Sequence, residues 1–467
     1  MAAGATWALT ACAVGPIYKA PEPIAPPTWQ APMPTNQPHA GSVGQLAQWW
    51  QQFDDPVLGR LVMLAEDGSP SLASAWASIQ KARATLKSTG ASAWPAVNGS
   101  ASVSRSNQLQ TATGTATGNS RGAGLDASWE LDLFGKLRQN TEAAEARVQA
   151  RTADWHEARV SLAAEVADTY VQYRACELLA DAYEREQASN ADTEKATAAS
   201  VKAGFTAPSD GALARASLAS ARATLVQQQA QCELLVKSLV YLTGAEEPAL
   251  RTLMGRGSGH VPQPAALEVQ AVPAEVLRQR PDLASLEREL AATSAEIGVA
   301  QADLYPSLSL GGSVTVSATS LVSPVTSWSF GPSLSLPLFD AGRRRAAVEG
   351  AQAGYDGALA SYRQGVRTVV KEVEQALVNL DSTARRAEQA DSAAREYRDY
   401  FRAIAANWRA GSESLLTLEQ ARRSALSAEV TRITLQRDRV QYWIALYKAL
   451  GGGWQPDAPA IPAKNTL

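Results

Sequence analysis

Residues 326–339 read Thr-Ser-Trp-Ser-Phe-Gly-Pro-Ser-Leu-Ser-Leu-Pro-Leu-Phe, and a few residues later the chain enters a long proline-free stretch. Trp328, Phe330, Leu334, Leu336 and Leu338 fall on one side of an extended chain; Ser329, Gly331, Ser333 and Ser335 fall on the other. Period-two alternation of this kind marks a strand with one apolar and one wet face. From about Arg343 to Asn407 no proline occurs and Ala, Glu and Arg abound, which predicts a single helix. A helix of that length runs roughly 100 Å at about 1.5 Å per residue, several times the usual globular length. A two-faced strand feeding directly into such a helix is the combination that decides the fold.

The same combination occurs earlier. Leu125, Ala127, Trp129, Leu131 and Leu133 oppose Asp126, Ser128, Glu130 and Asp132, and a second proline-free run extends from about Lys136 to Ala203. Each of these strands has a partner upstream. Val97, Gly99, Ala101 and Val103 alternate with Asn98, Ser100, Ser102 and Ser104, and Leu308, Leu310, Val314 and Val316 alternate with Ser307, Ser309, Ser313 and Thr315. Five landmarks recur in one order at an offset near 210 residues. Leu72-Ala73-Ser74 returns as Leu283-Ala284-Ser285, Trp94-Pro95 as Tyr305-Pro306, and Leu133-Phe134 as Leu338-Phe339. Lys202-Ala203-Gly204 returns as Arg409-Ala410-Gly411, and Leu242-Thr243-Gly244 as Leu450-Gly451-Gly452. The chain is therefore an internal repeat, each unit reading helix, strand, loop, strand, very long helix, tight turn, long helix. Repeat one spans 54–243 and repeat two 274–450, with a linker at 244–273 and a tail at 451–467. Strands are expected at about 94–107, 121–134, 304–317 and 326–339. Helices are expected at about 136–203, 209–243, 341–407 and 413–450.

Such strands fit either a sheet half-buried on a core or a barrel with lipid outside and water inside. Four strands cannot close around water, and open edges cannot face lipid. Either the sheet is covered, or several chains pool their strands. The remaining sequence offers no apolar partner sheet, so pooling is the favoured reading. The loops at 105–121 and 317–326 are polar and rich in Thr, Ser and Gly.

In the helices, Leu359, Tyr362, Val366, Val369, Val373, Leu377 and Leu380, and in a return helix Leu225, Cys232, Leu235, Leu239 and Leu242, form heptad-like seams that require helical partners. Lys136, Arg138, Arg343, Arg344 and Arg345 stand where long helices begin, against the helix dipole. Lipid phosphates would account for them, and so would a solvated basic collar.

Composition excludes several classes. A net charge of −3 gives no basic face for nucleic acid. Three histidines, His39, His156 and His260, are scattered, so no metal site is expected. No apolar run approaches the ~20 residues of a membrane helix. Three cysteines cannot build a disulfide framework, and Cys176 and Cys232, inside helical patterns, read as small buried hydrophobes. No Walker loop, H-E-x-x-H pair or G-x-S-x-G elbow occurs, so neither catalysis nor a cofactor is expected. Leu9-Thr10-Ala11-Cys12 has the form of a lipobox in which Cys12 would be acylated. The preceding 1–11 would be a signal-peptide remnant, although it lacks the usual Lys or Arg, so the start lies further upstream or the match is accidental. The proline-rich segment that follows makes 12–53 a lipidated leash.

Taken together, Cys12-Ala13-Val14-Gly15-Pro16-Ile17-Tyr18 with Pro21, Trp49-Trp50, Phe53-Asp54-Asp55-Pro56 with Leu58, Arg280-Pro281-Asp282-Leu283, Tyr305-Pro306 and Phe339-Asp340-Ala341-Gly342-Arg343 resemble one family. It is the outer-membrane factor family of tripartite efflux systems, TolC-like and in particular OprM/NodT-like lipoproteins. The resemblance implies a mainly α fold with a membrane β-barrel portion, in which three protomers pool four strands each into twelve above a periplasmic α-helical barrel. It implies a passive exit duct for drugs or other small toxic compounds, working with a membrane-fusion adaptor and an inner-membrane pump of the resistance-nodulation-division type. Heavy-metal efflux and type I secretion are the alternatives within the family; a structural coiled-coil envelope protein is the alternative outside it.

The hairpin tips are then the functional site. Gly204, Phe205, Gly411 and Ser412 are implied to dock the adaptor. TolC-like members place paired aspartates just after the second tip; here Thr417 and Gln420 stand at those positions, with Glu419 beside them. Asp210 holds the equivalent first position in repeat one, so an acidic ring there and a hydrophobic gate at Leu415 or Leu416 compete, and Asp210 as a mere helix cap competes with both. Asp126, Glu130 and Asp132 are expected on the lumen side of their strand.

Overall fold

The computed structural model describes residues 14–32, 49–110, 114–256, 259–264, 277, 279–320 and 322–454. Among them, helices α1 (Pro56–Gly68) and α2 (Pro70–Ala91) precede strands β1 (Ala96–Gln110) and β2 (Gly114–Leu131). Then come α3 (Lys136–Lys202), α4 (Pro208–Thr243) and the short α5 (Glu247–Met254). The second repeat follows as α6 (Pro281–Ala302), β3 (Ser307–Thr319), β4 (Val322–Ser335), α7 (Arg343–Arg409) and α8 (Leu415–Ala449). Helices α3 and α7 each contain 67 residues.

The chain divides into two compact units. One gathers Met1–Glu22, Ala75–Asp154 and Leu283–Gly365, and the other gathers Pro23–Ser74, Trp155–Asp282 and Val366–Leu467. In the first unit the sheet runs β1-β2-β3-β4, every neighbour antiparallel. The strands reach further from the helices than alternation alone indicates: β1 continues to Gln110 and β2 begins at Gly114, where polar loops were expected. Thr- and Ser-rich backbone sustains the ladder after the apolar side ends, because pairing needs only backbone groups. At the helical end they stop earlier, β2 at Leu131 and β4 at Ser335, ahead of Pro337. Close by, Ala143 and Ala146 of α3 pack on Ala292 of α6, small residues that let the two helices approach closely. Arg147 pairs with Glu296 at 2.5 Å beside them.

The second unit holds the larger core, in which Trp49 stacks on Tyr447 with ring centroids 5.0 Å apart. Asp55 caps α1 through the N–H groups of Val57 and Leu58 and accepts the Tyr170 hydroxyl at 2.8 Å. Tyr170 in turn accepts Arg174 Nε at 2.9 Å, and Arg174 donates to the Met254 and Arg256 carbonyls. Buried Arg280 forks onto Asp282 and reaches Glu372 at 2.8 Å and the Ala449 carbonyl at 3.0 Å. The Arg-Pro-Asp motif thus ties the start of α6 to α7 and the end of α8. Along α7 in this unit Val366, Val369, Val373, Ala376 and Leu380 are buried at alternating three- and four-residue steps, the seam of a coiled coil.

One reading of the sequence is corrected here. Cys176 on α3 and Cys232 on α4 form a disulfide, with Cα atoms 5.6 Å apart. Gly204 stands midway in the 56-residue span between them. In an antiparallel helical hairpin, positions equidistant from the turn lie at one level, and this brings the two thiols together.

Candidate functional site: the two-faced sheet and the hairpin tips

Pairing fixes which side chains share a face of the sheet. Val97 stands opposite Ala127, Leu125 opposite Gly99 and Val314, and Val314 opposite Trp328, so the apolar residues of all four strands lie together. Trp328 is 78% exposed and Phe330 75%. The other face carries Ser100, Ser102, Ser104, Ser120, Ser309, Ser313, Ser329 and Ser333 in register, with Ser104 and Ser120 hydroxyls 2.6 Å apart and Ser313 and Ser329 2.9 Å apart. Asp126, opposite Asn98 and Ser313, and Glu130, opposite Ser309, belong to this polar face. Asp132 does not. It lies beyond the end of β2, and its carboxylate accepts the N–H groups of Leu137 and Arg138 at 3.0 and 2.9 Å, capping α3. Unpaired donors at a helix start outbid one more residue of ladder. Asp340 does the same for α7 through Gly342 and Arg344.

Carboxylates also answer most of the basic collar: Lys136 meets Asp303 at 2.7 Å, Arg138 meets Glu142 at 3.7 Å, and Arg344 meets Asp340 at 3.7 Å. Among the described residues no cluster of His, Cys, Asp and Glu could hold a metal ion, and no helix is long and apolar enough to cross a membrane. His156 is half-buried beside Trp155 and Trp454; burial and then Arg159 lower its pKa to about 4. Cys12 lies outside the described residues.

The tips close by one backbone device. Gly204 and Gly411 adopt φ of 82° and 79°, left-handed conformations that glycine enters without penalty. Phe205 N–H then reaches back to the Ser200 carbonyl, and Ser412 N–H to that of Asn407, both at 3.0 Å. Phe205 stands 87% exposed, and Gly204, Gly411 and Ser412 are exposed as well. Asp210 lies in the first turn of α4, but the N-cap is Ala207 and no side chain caps that end. The carboxylate of Asp210 makes no hydrogen bond or ion pair among the described residues.

After the second tip the candidates separate. Leu415 is 6% exposed, packed with Ala214, Ile404, Leu418 and Ala421, whereas Leu416 is 58% exposed. Thr417 donates its N–H to the Ser414 hydroxyl, the N-cap of α8, and Gln420 is exposed. Glu419 turns inward. Both it and Arg422 are buried, joined to each other, and Arg422 also donates to Asn190 Oδ1 at 2.7 Å and Thr193 Oγ1 at 2.6 Å on α3. The guanidinium lies 5.7 Å from the centre of the Phe401 ring on α7. Sequence reading missed this cluster, which fastens three helices together beside the tips. Half-buried Glu186 borders it; burial raises its pKa, Glu419 adds to the rise, and Arg422 and Arg423 oppose it.

The signature of the outer membrane efflux proteins matches residues 61–245 and 272–452. The chain belongs to the outer membrane efflux protein family. Pyoverdine export outer membrane protein OpmQ of Pseudomonas putida is 31% identical over 93% of this chain and 94% of its own. Nodulation protein T of Rhizobium leguminosarum bv. trifolii is 30% identical over 97% of each. The solved outer-membrane channel OprN superposes with a TM-score of 0.84 at 32% identity, covering 95% of this chain and 100% of that one. The fold of this outer membrane efflux protein is accordingly TolC-like, and its place is the outer membrane, as an efflux channel component.

Proposed function

We propose that three copies of this chain pool their sheets into a twelve-stranded barrel, with the polar face around a water-filled lumen and the apolar face in lipid. The observation that carries this reading is the two-faced sheet itself. Its large apolar side chains are exposed, and among the described residues its outer strands β1 and β4 each have one neighbouring strand. Lipid and a second protomer satisfy both needs at once. Acylation of Cys12 would anchor the chain, and α3, α4, α7 and α8 would lie in the periplasm, where the Cys176–Cys232 disulfide is stable.

In this reading the protein is a passive duct for small toxic compounds, driven by an inner-membrane pump of the resistance-nodulation-division type through a periplasmic adaptor. The relative named for pyoverdine export favours a small-molecule cargo. Phe205 and the glycine turns at 204 and 411 offer the adaptor an exposed edge. Leu416 and Asp210 are the gate residues best placed to meet their symmetry copies, since Leu415 and Glu419 are occupied inside the protomer. Mass measurement of the detergent-extracted protein should give three chains, and planar bilayers should show ohmic conductance. A detergent-free monomer whose helices cover its own sheet would overturn the reading. Asp210→Ala should weaken cation preference; unchanged selectivity would remove Asp210 from the gate.

A further inference from the structure

Strands β1 to β4 contain four charged residues, Arg105, Arg121, Asp126 and Glu130. Asp126 and Glu130 lie on the polar face. Arg121 pairs with Val103 and Arg105 with Asn119, which puts both cations on the apolar face, on neighbouring strands and one alternation step apart. No carboxylate shares that face, and neither arginine has an ion pair among the described residues. Their position is also particular. From Trp129 through Ala127, Leu125 and Ala123 the face is apolar, and Arg121 ends it, on the order of 26 Å along the strand at about 3.3 Å per residue. On a strand tilted by about 40° that length gives a height of about 20 Å, most of the ~25 Å apolar band of a membrane barrel. The helical end of the sheet is rimmed by aromatics, Trp94, Phe134, Tyr305 and Phe339. The guanidinium groups stand at the other limit of the apolar stretch, level with the last residues of β3, and the polar β1–β2 ladder runs on past them to Gln110 and Gly114.

Directly beneath the arginines the surface is hollowed. A groove of about 350 Å³ is lined chiefly by Ala101, Val103, Ala123, Val316 and Pro324, with Arg121 at its edge. It exists because small residues, Ala101 and Ala123, face each other across β1 and β2. An apolar trough with the Arg121 fork at its edge and Arg105 one step further along the neighbouring strand matches a ligand with hydrocarbon chains below and phosphate above. Guanidinium binds phosphate through paired, charge-assisted hydrogen bonds.

We infer that Arg105, Arg121 and this groove form a binding site for a phosphorylated, acylated lipid of the outer leaflet, its phosphate on the arginines and one acyl chain along Ala101 and Ala123. The inference rests on the barrel reading, since only that reading sets this face in lipid and this rim at the outer leaflet. Arginine near the interface costs the barrel little, so its removal should leave assembly intact.

The test measures binding of hexa-acylated diphosphoryl lipid A to the detergent-purified wild-type protein by native mass spectrometry, beside the same lipid stripped of both phosphates. Wild type should prefer the phosphorylated form by about tenfold or more, as expected for two charge-assisted contacts. R105A/R121A should lose that preference while keeping wild-type conductance in planar bilayers, and Ala123→Phe, which fills the groove, should weaken both lipids alike. Equal binding of the two lipids by wild type, or an undiminished preference in R105A/R121A, overturns the site while the conductance still supports the barrel. A wild-type protein that neither conducts nor enters bilayers overturns the barrel and the site together.

Discussion

Hairpin one, α3 with α4, and hairpin two, α7 with α8, follow one repeated plan and turn on equivalent glycines, yet different chemistry holds them. Aligned on Gly204 and Gly411, the disulfide cysteines of the first hairpin correspond to Thr383 and Arg439 of the second, which has no cross-link. Conversely, the buried Glu419–Arg422 pair of the second corresponds to Ala212 and the exposed Arg215 of the first. Ser414 caps α8 with its hydroxyl, whereas Ala207 at the same place in α4 has none to offer. Hairpin one is therefore closed on itself by a covalent bond. Hairpin two is fastened to α3, a helix of its neighbour, by a polar cluster that can be undone without breaking any covalent bond. If the tips open as proposed, the difference predicts that the second hairpin moves more than the first.

Arg422→Ala strikes hardest at the fastening of hairpin two. It leaves the Glu419 carboxylate buried without its cation, and strands Asn190 and Thr193, at a cost of about 4 kcal/mol. Thermal unfolding of the detergent-purified protein should fall accordingly, and bilayer conductance should rise as hairpin two loosens. Glu419→Leu with Arg422→Met should recover most of the stability, because an apolar pair of similar volume needs no partner. Conductance left at the wild-type level by Arg422→Ala would mean that the cluster does not restrain the tips.

Comparable in size is the loss of the staple. Cys176→Ser with Cys232→Ser should cost about 4 kcal/mol in the chain-entropy account of a cross-link that closes a 56-residue span. The same loss should appear on reduction of the wild type and be absent on reduction of the variant. If hairpin one is closed by packing as well, conductance should change far less than for Arg422→Ala.

These two features were the least legible in the sequence, for physical reasons. The repeat, the strand alternation and the helical runs are local patterns, and Val366 through Leu380 could be read as a seam before any partner was known. A disulfide is a long-range fact, although the midpoint at Gly204 was there to be found once the hairpin was drawn. Glu419 and Arg422 look in sequence like an exposed pair one turn apart; their burial depends on Asn190 and Thr193, more than 200 residues away. Asp132 continued an alternating pattern, and only the orphan N–H groups of α3 show why the strand stops before it. Leu415 and Leu416 are identical in type, and the packing of Ala214, Ile404 and Leu418 decides which one turns inward.

The caps give a smaller handle of about 1 kcal/mol. Ser414→Ala removes the hydroxyl that accepts the Thr417 N–H, and Ala207→Ser supplies the missing one to α4. The first should lower the unfolding temperature and the second raise it by a similar amount. Equal and opposite shifts would confirm that the two turns differ in this cap; an unchanged Ala207→Ser would indicate that Pro208 already fixes the start of α4.

Smallest, and most specific to the fastening, is the pH response of Glu186. Burial lifts its pKa above the ordinary glutamate value of 4.5, with Glu419 adding to the rise and Arg422 and Arg423 opposing it. A carboxyl whose pKa is raised on folding binds its proton more tightly in the packed state. Its contribution therefore favours packing at low pH and is lost as pH climbs from 4.5 through the raised value. Separating α8 from α3 returns Glu186 to water and removes the shift, so acid should favour the fastened arrangement and alkali its release. Glu186→Gln deletes the titration while keeping the size of the side chain. The stability of wild type relative to Glu186→Gln should decline as pH rises across that window, and wild-type conductance should rise over the same window while that of the variant stays level. A wild-type advantage that grew with pH would reverse the sign and place the Glu186 charge among the contacts that hold the two hairpins together.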